Sequence, residues 1–481
     1  MKLYNTLSGR KEEFTPQDPP DVRMYVCGVT PYDDCHLGHA MSYINFDTLR
    51  RFMEYRGYRV RHVQNFTDVD DKIIARSQKQ GVSPTELAER HIAGYFRDMD
   101  ALNIQRAHVY PRVTQEIPAI IETVRVLVDK GHAYRLGNSV YFRVSSKADY
   151  GKLSHRRMED ISPSELAEGK EHPADFALWK ESKPGEPFWD SPWGAGRPGW
   201  HIECTAMSQR YLGETLDIHG GGQDLVFPHH ENEIAQSEAY TGKPFARFWL
   251  HNGMLQLGAE KMSKSLGNLV TVQQMLSQHS SDAIRLFVLS SHYRGPLAYS
   301  EDALAAAERA IERLRVAVLG AIPQGGEALD PSPYRQHLIE AMEDDLSASQ
   351  AIAALFELAR DINRGREQGQ AVGQAVATLR ELAGVLGLTL REPERRLEPG
   401  PLLELAASLA KEVGEPAPSL DDSAESAVAF LVALRAQMRQ AKRWAQADTI
   451  RQRLAGLGIA LEDTAAGTVW RIRGSSSREQ D

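Results

Sequence analysis

Residues 22–40 read VRMYVCGVTPYDDCHLGHA, and how this stretch folds decides the architecture of the chain. VRMYVCGV, residues 22–29, alternates apolar side chains and reads as a strand that TP closes. A helix follows from about His36, with Leu37, Met41, Ile44 and Phe52 near one face, and it ends at RGY, residues 56–58. RVRHVQNF, residues 59–66, is the next strand, followed by TDVDDK. Strand, helix and strand in that order predict a parallel pair with a right-handed crossover.

Outward from this unit the pattern changes. From about residue 115 to 200 the chain has short strand-like pieces such as NSVYFRV and a turn-rich run, KPGEPFWDSPWGAGRPGW, which reads as an insertion into an α/β core. The core resumes with a helix from about His201, the strand TLDIHGGG and a second helix from about Pro228, where proline suits a first turn. Beyond residue 300 the chain reads as helical. SEDALAAAERAIERLRVAVLG puts Leu304, Ile311, Leu314 and Val318 on one stripe, with Ser300 as the expected N-cap. IPQGGEALDPSP and EVGEPAPSLDDSAES read as linkers, and the closing GSSSREQD as a disordered tail.

The chain of 481 residues exceeds one ordinary core, so several domains are expected. Hydrophobic residues at 42% and charged residues at 25% suit a soluble globular protein. The opening MKLYNTLSGRKEEF has no apolar core of a secretory signal, and no run is long and apolar enough to span a bilayer. Three cysteines, Cys27, Cys35 and Cys204, are too few for a disulfide framework and point to a reducing cytoplasm. A net charge of −9 does not mark a nucleic-acid binder, so any such partner must meet a local basic face.

Candidate chemistry gathers where an open parallel sheet presents ligand sites, at the carboxyl ends of its strands. Cys27 ends the first strand, Thr67 and Asp68 follow the second, and HGGGQD follows a later one. His36 and His39 stand at a helix start, where free N–H groups and the dipole favour an anion. The first turn carries no G-x-G-x-x-G, which leaves dinucleotide binding without support. EKMSKSLGN, residues 260–268, places Lys261 and Lys264 between Gly258 and Gly267, a mobile loop whose cations can neutralise a departing phosphate. His229 and Glu233 lie four apart on one helical face, a spacing that fits metal ligation. Taken alone, the two histidines could be ordinary helix-start residues. The lysines could equally be a solvated basic loop, and Cys27 and Cys204 buried small hydrophobes.

The segments His-Leu-Gly-His and Lys-Met-Ser-Lys-Ser together resemble the two signature motifs of class I aminoacyl-tRNA synthetases. CGVTPYD, NFTDVDDKI, GWHIECTAMS and DIHGGGQDLVFPHHENEIAQ narrow the resemblance to the cysteinyl-tRNA synthetase family, over essentially the whole chain. Cys-x-x-Cys knuckles, usual in the methionyl relatives, are absent.

The resemblance implies a Rossmann-like parallel-sheet catalytic domain with an inserted connective domain, a helical bundle and a small C-terminal anticodon-binding domain. The expected borders are 1–115 and 201–250 for the two catalytic halves, 116–200 for the insertion and 251–300 for a stem-contact region with the lysine loop. The bundle is expected at 301–400 and the anticodon domain with its tail at 401–481.

Cysteine, ATP with Mg²⁺ and tRNA(Cys) are the implied substrates, and one Zn²⁺ per chain the implied cofactor, in a cytoplasmic monomer. By the same match Cys27, Cys204, His229 and Glu233 hold zinc. Gly28, Thr67, Trp200 and His229 line the cysteine pocket. His36, Gly38, His39, Asp224 and Lys264 bind ATP, with His36, His39, Lys261 and Lys264 catalytic. Arg439, Trp444, Asp448 and Asp463 contact the anticodon, in a segment that also carries Arg435, Lys442, Arg443, Arg451 and Arg453. No role falls to Cys35. A rival expectation is an enzyme that joins cysteine to an amino-sugar, which would share the catalytic half but has no need of the C-terminal Arg/Trp segment.

Overall fold

The computed structural model describes residues 1–157, 169–257, 260–261, 270–323, 325–391, 399–416, 420–421, 423–464 and 467–472. The chain forms two compact units, Met1–Arg391 and Glu392–Asp481.

In the first unit the sequence alternation at VRMYVCGV becomes β1 (Asp21–Val29), and the apolar stripe that follows becomes α1 (Leu37–Tyr55). Leu37, Met41, Ile44 and Phe52 are all buried, as their spacing on one face requires. β2 (Arg59–Phe66) pairs parallel with β1, Tyr25 opposite Val63. The core resumes with α2 (Trp200–Leu212), β3 (Leu216–Gly222), α3 (Glu231–Thr241) and β4 (Ala246–Asn252). The sheet order is β4–β3–β1–β2, all parallel. Between β3 and β1 the connection direction reverses, and a crevice opens there at the carboxyl ends of the strands. At this edge Gly28 approaches β2 so closely that a Cβ would stand 1.6 Å from the Asn65 carbonyl oxygen.

Between β2 and α2 the chain builds a helix, Ile117–Asp129, against an antiparallel sheet of Ala133–Leu136, Ser139–Phe142, Phe176–Glu181 and Gly196–Pro198. It has its own apolar core around Val140, Phe142 and Trp179. Past residue 300 the helices Glu301–Leu319, Ser332–Glu343 and Gly373–Val385 all pack against Ala348–Glu367. Leu304, Ile311, Leu314 and Val318 are buried, and the Ser300 hydroxyl accepts from the Ala303 N–H, a cap worth about 1 kcal/mol.

The second helix of the core departs from its expected start at Pro228. A single wide turn over Val226–His230 comes first, because Phe227 keeps an extended backbone, and the regular helix begins at Glu231. His229 and Glu233 remain one turn apart, since His230 and Glu231 hold helical angles.

The second unit holds the helix Pro399–Val413, α4 (Ala424–Gln440), α5 (Trp444–Gly456) and a hairpin, Ile459–Thr464 with Gly467–Ile472. Its core is Leu402, Leu409, Val428, Leu431, Ile450 and Leu454 among others. The tail GSSSREQD lies outside the described residues. No helix among the described residues is long and apolar enough to cross a membrane.

Candidate active site

At the crevice, four side chains from three segments converge. Cys27 comes from β1, Cys204 from the second turn of α2, and His229 and Glu233 from the turn leading into α3 and its first turn. Their ligand atoms all lie within 4.8 Å of one another, and all four residues are buried. Cys27 Sγ is 3.8 Å from Cys204 Sγ and 3.5 Å from Glu233 Oε1, and His229 Nε2 is 3.0 Å from the same oxygen. Two thiols, an imidazole and a carboxylate at these separations suit a metal ion with tetrahedral coordination.

A second quartet, Cys27, His219, His230 and Glu233, also lies within 4.8 Å. Its contacts suit a supporting role. His219 Nε2 bonds to Glu233 Oε2 at 2.8 Å, the oxygen turned away from Cys27 and His229. His230 Nδ1 is tied to His251 Nε2 at 2.7 Å, and His251 in turn to Thr6 Oγ1. His201 Nδ1 meets His229 Nδ1 at 3.0 Å, leaving His229 Nε2 towards the thiols. Outer histidines and carboxylates of this kind fix the orientation of metal ligands.

The electrostatics match. Burial drives the Cys27 thiol well above its usual range, whereas its hydrogen bond brings Cys204 down to about 6. Burial opposes ionisation of Glu233, yet His219 and His229 bring it down to about 2. Burial likewise opposes charge on His229, but Glu233 and Cys204 lift it to about 10. The cluster thus favours the charged forms of Cys204, Glu233 and His229, and a metal would displace the shared protons.

Around this cluster stand the other expected pocket residues. The Trp200 ring stacks on His229, centroids 4.4 Å apart, and is 38% exposed. Asn65 Oδ1 accepts the Gly28 N–H at 2.9 Å and sits 3.7 Å from Cys204 Sγ, while its Nδ2 donates to Thr67 Oγ1. Asp224 is exposed just past β3, and its carboxylate crosses Gly222, where a Cβ would stand 2.4 Å from Oδ1.

The start of α1 differs from the sequence expectation of open N–H groups. The Gly38 N–H donates to His36 Nδ1 at 3.1 Å, and the Leu37 N–H to the Val270 carbonyl at 3.0 Å. The His36 N–H in turn donates to His39 Nδ1, and the two rings stack with centroids 3.8 Å apart. Because each Nδ1 accepts, the ring proton of each neutral imidazole is on Nε2, so both rings are donors at that atom. The groups left to meet an anion here are the imidazole Nε2 atoms rather than bare amides.

The same contacts bring a later segment against the start of α1. Val270 lies two residues past EKMSKSLGN, and the Val272 N–H donates to the Cys35 carbonyl, so residues 270–272 run beside residues 35–37. Lys261 lies in a short strand paired with Leu255–Leu257, whereas Lys264 lies outside the described residues.

In the second unit Trp444 is 57% exposed at the start of α5. Asp463 is held by Arg435 at 2.7 and 2.9 Å, by Arg439 at 2.6 Å and by the Thr468 hydroxyl at 2.7 Å. Asp448 lies 3.6 Å from Arg451.

Comparison with known proteins gives the same reading. A profile described as tRNA synthetases class I (C) catalytic domain matches residues 13–309, and a DALR domain matches residues 337–391. A cysteine–tRNA ligase of Dehalococcoides mccartyi is 53% identical over 98% of this chain and 100% of its own length. The chain belongs to the cysteine–tRNA ligase family. A family relative from Heliobacterium modesticaldum is 46% identical, over 98% of this chain and 99% of its own.

Among solved structures, the Mycobacterium tuberculosis methionyl-tRNA synthetase in complex with methionyl-adenylate aligns with a TM-score of 0.55 at 19% identity. It covers 77% of this chain and 88% of that one. A LeuRS–tRNA ternary complex from Agrobacterium radiobacter K84 aligns at 0.56 and 12% identity, over 78% and 85%. At these identities the likeness concerns the fold.

Sequence reasoning did not single out Asn65, His201, Glu203, His219, His230 or His251. A faint signal existed for His219 and His251, histidines close to the carboxyl ends of core strands. His230 adjoins a candidate ligand, but nothing local shows that its ring turns to Cys27, with Nε2 3.3 Å from the sulfur.

Proposed function

We propose that this chain selects cysteine through a zinc ion held by Cys27, Cys204, His229 and Glu233. As a member of the cysteine–tRNA ligase family over its relatives' full length, the chain is an enzyme that joins cysteine to tRNA. The amino-sugar alternative is not favoured, because the match to ligases runs on through the C-terminal unit.

The observation that carries the metal reading is the buried quartet within 4.8 Å. Serine and cysteine differ by one atom, and a steric pocket separates such pairs by only roughly 10²-fold. Bound there, zinc would supply a Lewis acid that prefers a thiolate to a hydroxyl.

The protein's own groups do the positioning. His219 and His201 fix Glu233 and His229, and Trp200 walls the pocket over the His229 ring. Gly28 and Thr67 border the amino-acid side, and Asp224 offers acceptors to the ribose of ATP. With ATP as its magnesium complex, the carboxylate of cysteine attacks the α-phosphate and pyrophosphate leaves. His36 and His39 donate from Nε2 to phosphate oxygens, with Gly38 keeping the turn between them small. Lys261 and Lys264 neutralise the departing pyrophosphate. The terminal ribose hydroxyl of tRNA(Cys) then takes the cysteinyl group from AMP. Arg439, Trp444, Asp448 and Asp463 form the anticodon end. Trp444 supplies a stacking face, and Asp463 holds Arg439 in place.

Cysteine-dependent ATP–pyrophosphate exchange, with serine as control and with or without a chelator, tests this reading. Exchange with cysteine that is lost on chelation and regained with zinc supports it. Equal exchange with serine refutes it.

A further inference from the structure

One buried acid beside the site has no part in the mechanism above. Glu203 lies in the first turn of α2 and is 2% exposed. It follows Trp200 by three residues and precedes Cys204 by one, so a single helical turn carries the pocket wall, this carboxyl group and a thiol ligand. Its Oε2 accepts the Thr67 hydroxyl at 2.9 Å. The ionised carboxylate accepts that bond at either oxygen, and the neutral acid accepts it only with its proton on Oε1, so the arrangement takes Oε2 as the unprotonated oxygen.

The consequence lies in the valence of the hydroxyl. A threonine hydroxyl has one proton to donate and two lone pairs to accept with. The proton goes to Glu203, and one lone pair takes the Asn65 Nδ2–H at 3.3 Å. Asn65 is itself fixed by the Gly28 N–H at Oδ1, so its amide cannot flip without losing that bond. The Thr67 backbone is pinned as well, its N–H donating to the Val29 carbonyl at 3.1 Å. What remains at Thr67 Oγ1 is one acceptor position and no donor.

We infer that Glu203 is a positioning residue that sets the direction of the Thr67 hydroxyl, so that Thr67 meets the α-ammonium group of the bound amino acid as an acceptor. The metal quartet then answers for the sulfur, and the Glu203–Thr67–Asn65 chain for the amine. A substrate is recognised at two of its groups by two side-chain systems that share helix α2. The inference rests on the placing of Thr67 in the amino-acid pocket.

Glu203→Met keeps the volume and removes the acceptor, whereas Glu203→Gln keeps a carbonyl oxygen to accept the bond. In ATP–pyrophosphate exchange, Glu203→Met should raise KM for cysteine about tenfold, the scale of one hydrogen bond to a charged group, with kcat and the KM for ATP nearly unchanged. Glu203→Gln should restore most of the loss. Thr67→Val should match Glu203→Met, and the double variant should be no worse than Thr67→Val, because both act on one interaction. Inhibition by 3-mercaptopropionate, which has the thiol and carboxylate but no amine, should be the same in all of them, and zinc content should not change.

Additive losses in the double variant would overturn the inference, and so would an equal loss of 3-mercaptopropionate binding. Either would make Glu203 a support of the helix start alone. Wild-type KM in Thr67→Val would remove Thr67 from the pocket and sink that earlier placing too. A Thr67→Val defect with an additive Glu203→Met defect sinks the inference alone.

Discussion

At the sheet edge of the first unit, Cys27, Cys204, His229 and Glu233 are all less than 7% exposed, whereas in the second unit Trp444 is 57% exposed and Arg439 stands half in solvent. The first group is buried before any ligand arrives, and every polar atom in it must be paired inside the protein. That demand recruits His201, His219, His230 and His251 as a second layer. The second group needs no such layer. Its aromatic face is exposed to solvent, and its half-exposed guanidinium is paired with Asp463 at the surface. Selection of a small amino acid calls for a rigid, dry, prepaid site, while reading of a long nucleic acid tolerates exposed contacts spread over a surface.

The comparison breaks most readily at Cys204. Cys204→Ser removes a soft ligand and should lower zinc retention and cysteine activation together by roughly 10²-fold or more, the loss of a ligand rather than of its support. Metal analysis and pyrophosphate exchange on one preparation check this. His219→Phe keeps the stack on Trp249, centroids 4.5 Å apart, but removes the hydrogen bond to Glu233. It should weaken zinc binding by about 10–100-fold, as read by competition with a chromophoric chelator.

Trp444→Ala should leave exchange untouched and lower kcat/KM for tRNA by about tenfold, within the 1–3 kcal/mol range of one base stack. Equal loss of exchange in the Cys204 and Trp444 variants would erase the division between the units.

The last effect concerns acid. His62, buried in β2, is held neutral by burial with its pKa lowered to about 3. Its contribution to stability is complete above the unfolded value near 6.5 and is lost progressively as pH falls towards 3, about 2 kcal/mol by pH 5. In the second unit Arg435 and Arg439 hold Asp463 below its usual range, so that pairing is lost only below the unfolded carboxylate value. Thermal melts of wild type and His62→Leu between pH 7 and 5 should converge as pH falls, because only the wild type pays for charging this ring.

How far the sequence spoke follows the same division between local and long-range effects. The β–α–β start was legible because alternation and a four-residue stripe are local, and each of Leu37, Met41, Ile44 and Phe52 is where that stripe puts it. The Ser300 cap was legible for the same reason. Gathering Cys27 with Glu233 needed the family resemblance, since nothing in the spacing says which strands are neighbours.

The capping of α1 was not legible. Its Leu37 N–H is taken by a carbonyl at Val270, and its Gly38 N–H by the ring of its own N-cap residue. The grip of Arg435 on Asp463 was equally hidden, because a bond between a helix and a hairpin leaves no local trace.

The central claim is that the substrate's sulfur meets a metal held by Cys27, Cys204, His229 and Glu233. X-ray absorption at the zinc edge of the purified protein, with and without cysteine, tests it most directly. The account predicts two sulfur ligands at rest and one more on addition of cysteine, with no change on addition of serine. A sulfur count that stays the same with cysteine present would contradict it.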